Sequence, residues 1–370
     1  MQSMAGGLCE RGIDVTVFCG VSQHLQDRIS AQESYAVRRV KLWPNWPRLG
    51  PFEAICAPFY AIALGWHLIR NRYDVVTAAT YPPVVAAAVA CIVCKLTQQR
   101  FIYHVQDVHP EVSQISHHKI GRGWLFRILR MVDNLTLRFS YAVVTLSHDM
   151  AQTLKDRGLY VPNIHVINNF CADPIPEGLG RPASRSQGKS LKRIIYAGNL
   201  GNYQNLPNIV EGLASAAESR QDIEVVLMGQ GKAADRLKAR WEGHPHVLFL
   251  PHLPPQAARA TIAEADAAFL SLGAGMYRVS YPSKLFTYLD CKVPVLAFVE
   301  SESCLSKDIR DRGWGVVCDN TALERILPAL DQLLVMKAHL ATCDSAKIRN
   351  AAISAWMKLL EGESGKDPAG

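Results

Sequence analysis

Three segments in the second half of the chain carry the residue types that hold phosphate. They are Arg193-Ile-Ile-Tyr-Ala-Gly198-Asn199-Leu-Gly201, Glu224-Val-Val-Leu-Met-Gly229-Gln-Gly231 and Tyr281-Pro282-Ser283-Lys284-Leu-Phe-Thr287. Each sets glycine or proline where an apolar run gives way to a helix. Glycine lets the main chain approach an anion, and the helix that follows offers free N–H groups and a positive dipole end. Lys284 adds a compact cation that suits a phosphate, with Arg278 nearby as a second candidate. Taken together, the segments predict a pocket for a diphosphate-bearing nucleotide. Taken singly, each has a plainer reading: a tight turn for the glycines and a solvated side chain for Lys284.

The first half offers His104-Val-Gln-Asp107-Val-His109-Pro110 at the end of an apolar run. Asp107 suits the holding of an acceptor hydroxyl, or else is a buried structural carboxylate. His104 lies inside the run, where a core histidine is the plainer reading. His109 precedes a proline in a loop and faces acceptor or solvent. The spacing of the two histidines on a non-helical segment argues against a metal pair. Cys91-Ile-Val-Cys94 is the one CxxC, and its apolar setting reads as buried thiols. With no Asp-x-Asp motif either, neither a metal nor a cofactor is expected.

Strands are predicted near 36–41, 74–79, 100–105, 141–146 and 164–167, with helices near 84–96, 121–139 and 149–157, the last capped by Ser147. A Pro/Gly/Ser-rich stretch, 172–190, follows. Strands then recur near 193–197, 223–228, 247–250, 267–271, 294–298 and 315–318, and a helix at 345–361 precedes a polar tail. Such alternation implies parallel sheets with helices on both faces. The expected division is 1–173, a linker at 174–190, 191–344, and a closing helix with tail at 345–370. Residues 1–12 read as the tail of a helix and 13–18 as the strand after it. A Rossmann-like domain opens with a strand and a glycine loop before that helix. Neither appears, so the first domain is expected to lack its first strand. Either the true start lies upstream or the domain is built without that element.

A length of 370 residues, 49% hydrophobic and 20% charged, suits two folded α/β domains. The net charge of +7 is diffuse: it fits an anionic substrate or membrane face and does not argue for nucleic acid. The uncharged stretch Val75–Cys94 is broken at Tyr81-Pro82-Pro83 and reads as strand, turn and buried helix. Ala54–Ile69 is short for a membrane span, and is either a core helix or one lying on a membrane surface. The helix at 121–139 has an apolar stripe, Trp124, Ile128, Val132, Leu135 and Phe139, flanked by Arg127, Arg130 and Arg138. It is an amphipathic core helix, or it lies with residues 52–69 against an anionic leaflet. No signal peptide opens the chain, which favours a cytoplasmic setting.

These features resemble the GT-B architecture: two Rossmann-like domains facing a cleft, a linker and a closing helix. In detail they resemble the retaining family-4 glycosyltransferases of colanic-acid and capsule type, which transfer fucosyl or N-acetylfucosaminyl groups. The matching segments are His104–Glu111, Val143–Ser147, His165–Asn169, Tyr196–Gly201 with Gln204, Leu227–Gly231, and Tyr281–Leu285 with Pro294-Val295. The resemblance implies a nucleotide diphosphate sugar donor held by Gly198, Asn199, Gly201, Gln204, Gly229, Gly231, Arg278, Ser283, Lys284 and Thr287. It implies a saccharide acceptor, lipid-linked and at the inner face of the cytoplasmic membrane, near His104, Asp107 and His109. Asp107 and Lys284 would carry the chemistry. The broader family has a Glu-x7-Glu pattern ahead of Cys-Gly-x-Pro; here Val279 and Thr287 hold the glutamate positions and Lys292 replaces the glycine. A truncated or non-catalytic relative acting as a partner is the alternative. A nicotinamide-dependent oxidoreductase is disfavoured, because no GxGxxG fingerprint occurs.

Overall fold

A computed structural model describes residues 2–21, 35–41, 50–79, 82–115, 123–161, 163–170, 191–201, 204–320, 323–336 and 345–362. The chain divides into two units: Met1–Asn168 with Arg349–Gly370, and Asn169–Ile348. The expected linker at 174–190 and the tail beyond residue 362 lie outside the described residues.

In the first unit α1 (Gln2–Cys9) leads into β1 (Thr16–Val21), which pairs in parallel with β2 (Ala36–Lys41). Then come α2 (Gly50–Arg70), β3 (Val75–Ala79), α3 (Val85–Leu96), β4 (Arg100–Val105), α4 (Glu111–Ile115), α5 (Trp124–Phe139), β5 (Ala142–Thr145), α6 (His148–Lys155) and β6 (Ile164–Val166). β3 to β6 form a second parallel sheet in chain order. The Ser147 hydroxyl accepts a hydrogen bond from the Met150 N–H at 3.2 Å, capping α6 as the sequence predicts. In the doubly wound order the opening strand separates the second strand from the fourth. β1 and β3 stand in those two places. Among the described residues β1 pairs with no strand but β2, and β3 with none but β4. Among the described residues the strands of this unit thus form two separate parallel sheets.

α5 departs from the core-helix expectation. Trp124 is 73% exposed, and Ile128, Leu135 and Phe139 are exposed with it, while Asp133, Thr136 and Leu137 are buried. The apolar stripe faces outward and a partly polar side faces inward.

The second unit carries β7 (Lys192–Asn199), α7 (Leu206–Arg220), β8 (Ile223–Gln230), α8 (Ala234–Trp241), β9 (Val247–Leu250), α9 (Pro255–Ala263), β10 (Ala267–Ser271), α10 (Lys284–Asp290), β11 (Val295–Phe298), α11 (Cys304–Asp311), β12 (Gly315–Cys318) and α12 (Ile326–Met336). Its parallel sheet has the order β12-β11-β10-β7-β8-β9, so the winding reverses between β7 and β10. Ligands bind outside the carboxyl ends of strands at such a switch point. Tyr196, Phe269 and Phe298 are fully buried beneath it, with the Tyr196 and Phe269 rings 5.2 Å apart.

α13 (Ser345–Glu361) packs on the first unit. Gly7 on α1 allows this contact, since a Cβ there would lie 2.3 Å from Ile353 Cδ1. Arg349 pairs with Glu10 at 2.7 Å, and Trp356 is buried edge-on to His104 with 5.1 Å between ring centres.

Lys292, just past the end of α10, sits at φ +56°, where glycine has no Cβ penalty. Lys292→Gly is therefore expected to raise stability by about 1 kcal/mol. The check is a higher urea midpoint at unchanged slope.

Candidate active site

β7 and β8 run in register to their ends, with Gly198 opposite Gly229 and Asn199 opposite Gln230. Both glycines lie at positive φ, +127° and +141°. Space also requires glycine at 229 and 231. A Cβ on Gly229 would lie 1.9 Å from the Gly198 carbonyl oxygen, and one on Gly231 would lie 2.4 Å from the Leu200 oxygen. The third junction reaches the same place: a Cβ on Gly198 would be 3.7 Å from Lys284 Nζ. All three phosphate-type segments therefore converge at the carboxyl ends of β7 and β8, beside the switch point.

The Lys284 ammonium donates to the Tyr196 hydroxyl and lies 3.7 Å from the centre of that ring. Among the described residues it has no carboxylate partner. Burial without an anion favours the neutral amine and pulls its pKa from 10.5 down to about 7. Tyr196 thus acts as the hub of the site, and sequence reasoning passed over it. Its hydroxyl is 2.6 Å from Gln204 Oε1 and 2.9 Å from the Asn199 carbonyl oxygen. Its one visible signal is a polar tip inside the otherwise aliphatic strand run Ile194-Ile195-Tyr196-Ala197.

Gln204 is buried, and its Oε1 also accepts from the Gly201 N–H at 3.0 Å. Its carbonyl accepts from the Ser271 hydroxyl of β10. Its observed bonds shape the loop after β7. Asn199 and Ser283 are exposed, and Thr287 is half-buried on α10. Arg278 is exposed at the end of a 3-10 turn, with its guanidinium 5.8 Å from the centre of the Tyr277 ring.

In the first unit the chemistry gathers around one guanidinium. Arg157 donates through Nε and Nη2 to the two Glu111 carboxylate oxygens, at 3.0 and 2.6 Å. Nη1 reaches Asp133 Oδ2 at 2.6 Å and Asn134 Oδ1 at 3.1 Å, and Nη2 reaches the His109 carbonyl oxygen at 2.7 Å. All five N–H groups are used. Tyr103 completes the set by donating to Asp133 Oδ1 at 2.8 Å. The network holds the loop that carries Asp107 and His109, including the cis His109–Pro110 bond. It also explains α5: the side that supplies Asp133 to a buried cation must face inward.

Asp107 is half-buried, and its carboxylate makes no hydrogen bond among the described residues, unlike a structural carboxylate. Burial lowers the pKa of His109, against the opposing pull of Asp107 and Glu111. His104 stands apart from this pair. It is buried, neither ring nitrogen has a hydrogen-bond partner, and burial takes its pKa down to about 3. It is a neutral core ring against Trp356.

Residues 1–169 match the family described as "Glycosyl transferase 4-like domain", and 191–335 match "Glycosyl transferases group 1". The chain is built from two glycosyltransferase domains. It is 22% identical over 272 residues to the glycosyltransferase WbjE of Pseudomonas aeruginosa, covering 71% of this chain and 67% of that one. It is 21% identical over 260 residues to WcaI of Escherichia coli (strain K12), described as a colanic acid biosynthesis glycosyl transferase. That match covers 67% of this chain and 63% of WcaI, just under two thirds of its length. Among solved structures, Anabaena HepE in complex with UDP and glucose superposes with a TM-score of 0.62 at 14% identity, over 96% of this chain and 94% of that one. The fold is GT-B.

Two outcomes follow from the geometry. Gly229→Ala forces a Cβ against the Gly198 carbonyl and is expected to cost at least about 1–3 kcal/mol of stability from backbone strain alone; urea unfolding of the variant measures it. Arg157→Lys keeps the charge but loses the fork, leaving buried carboxylates short of donors. It should destabilise by about 3–5 kcal/mol, with a lowered thermal midpoint as the readout.

Proposed function

We propose that this chain transfers a sugar, with retention at the anomeric carbon, from a nucleotide diphosphate sugar to a lipid-linked saccharide in surface polysaccharide synthesis at the inner face of the cytoplasmic membrane. The second unit takes the donor and the first takes the acceptor. One observation carries the reading: a partly buried lysine with no carboxylate partner among the described residues stands against Gly198, at a junction where Gly229 and Gly231 leave no room for a side chain. That arrangement lacks an anion, and a diphosphate supplies one. The solved neighbour with UDP and the relative named for colanic acid biosynthesis support the donor and product classes.

The main physical task is to stabilise the diphosphate as it leaves. Lys284 and the main chain around Gly198 and Asn199 carry that charge, with Gly201 shaping the loop and Gly229 and Gly231 giving the nucleotide close approach. The same groups take the place of a bridging metal. Ser283, Thr287 and Arg278 border the donor. In the first unit Asp107, held by the Arg157 network, orients the acceptor hydroxyl, with His109 beside it. The proton of that hydroxyl passes to a departing phosphate oxygen. A second reading, a non-catalytic nucleotide-sugar binder, draws on Val279 and Thr287 at the two family glutamate positions. Donor-sugar turnover separates the two.

A panel of nucleoside diphosphates titrated by calorimetry tests the donor site. Lys284→Met should weaken the preferred nucleotide at least about tenfold, or about 1.4 kcal/mol. In the free protein Lys284 loses its proton as pH rises through about 7. A bound anion favours the ammonium, so binding takes up a proton above that pH. Affinity should therefore fall as pH rises from 7 toward 10, and the slope should vanish in Lys284→Met. Equal affinities in both proteins would remove the assignment.

A further inference from the structure

The outward stripe of α5 is not isolated. α3 packs against both α2 and α5, and its Ile92 and Leu96 are exposed between them. α2 turns Phe59, Ile62, Trp66 and Ile69 to the outside. Between α2 and α3 runs an open groove of about 470 Å³, lined by Pro58, Ile62, Trp66, Ile69, Val85 and Val89 among other wholly apolar neighbours. Three adjoining helices thus present one apolar face, far beyond the scattered single exposures that need no explanation.

The charge on this face has one sign. The Arg70 guanidinium lies 4.7 Å from the Trp66 ring centre, and Lys95 Nζ lies 5.5 Å from that of Phe139. Arg127 and Arg138 are exposed beside the α5 stripe. From residue 57 of α2, and throughout α3 and α5, the only carboxylate is Asp133, which is buried on Arg157. Long cationic side chains around aromatic and aliphatic ones, with no acidic group among them, complement an anionic lipid surface. Among the described residues no helix is long and apolar enough to cross a membrane.

We infer that the outer face of α2, α3 and α5 docks on an anionic bilayer, with the groove between α2 and α3 receiving an acyl or polyprenyl chain. The inference rests on the reading of the acceptor as lipid-linked and adds the surface that meets the lipid. Apolar side chains enter the acyl boundary, and Arg70, Lys95, Arg127 and Arg138 keep their charged ends among the headgroups.

Co-sedimentation of the full chain with vesicles tests this. The protein is expected to bind phosphatidylcholine vesicles containing phosphatidylglycerol at least tenfold more tightly than phosphatidylcholine alone. Trp66→Glu and Ile128→Glu should each weaken that binding at least tenfold. Far-UV circular dichroism and the thermal midpoint of both variants should match wild type, which shows that the first unit is folded, and nucleoside diphosphate affinity should be unchanged. Arg127→Glu with Arg138→Glu should abolish the preference for phosphatidylglycerol. Wild-type protein that ignores both vesicles, or apolar-face variants that bind as well as wild type, would overturn the inference. So would a dimer that Trp66→Glu dissociates without altering vesicle binding, since the face would then belong to a second copy. Transfer to a saccharide with a short soluble anchor, measured in the same variants, keeps the two readings apart. Unchanged transfer with lost sedimentation supports docking as a separate function of this face. A wild type that sediments but transfers only to unanchored saccharides defeats the acceptor reading and leaves docking standing.

Discussion

A guanidinium taken out of water must find an acceptor for each of its N–H groups, and in the first unit that demand arranges everything near it. Arg157 draws a carboxylate from α4, a carboxylate and an amide from α5, and a carbonyl from the loop after β4. Left unpaired, any of these buried groups would be costly; paired, they lock three segments to one another. The rotation of α5 follows. Its inward side is chosen by Asp133 and Tyr103, not by the larger apolar side chains, which are left outside. The same lock fixes the backbone on which Asp107 and His109 stand, so the loop after β4 owes its shape to a side chain remote from it in sequence.

The second unit treats its partly buried cation in the opposite way. Lys284 is given a hydroxyl and an aromatic face but no anion. Arg157 finds an acceptor for every N–H within the fold, whereas Lys284 has the Tyr196 hydroxyl and ring as its partners. The tight glycine contact of β7 with β8 lies next to Lys284: a Cβ on Gly229 would strike the Gly198 carbonyl, and Gly198 itself borders the ammonium at ordinary contact distance.

Much of the architecture was legible in the residue pattern. The second-unit strands are continuous apolar runs punctuated by glycine or proline, and the predicted 193–197 and 223–228 were observed as Lys192–Asn199 and Ile223–Gln230. The glycine-rich junctions and Lys284 could be picked out for the same reason. The orientation of α5 could not. Periodicity identifies a stripe but cannot say which side a distant arginine will claim. Tyr196 and Arg157 were missed because their partners are remote in sequence: Lys284 in one case, and Glu111, Asp133 and the His109 carbonyl in the other. His104 lies in the same short segment as Asp107 and His109, yet strand geometry turns it into the core against a helix that starts at Ser345.

The two-piece sheet of the first unit bears on how that unit opens. A continuous sheet ties its strands into one cooperative block, whereas among the described residues β1 and β2 share a ladder only with each other. Local opening free energies follow such connections. Amide protons of the β1–β2 pair are therefore free to exchange with solvent through a smaller fluctuation than those of β4 and β5. This gives one domain two distinct levels of protection.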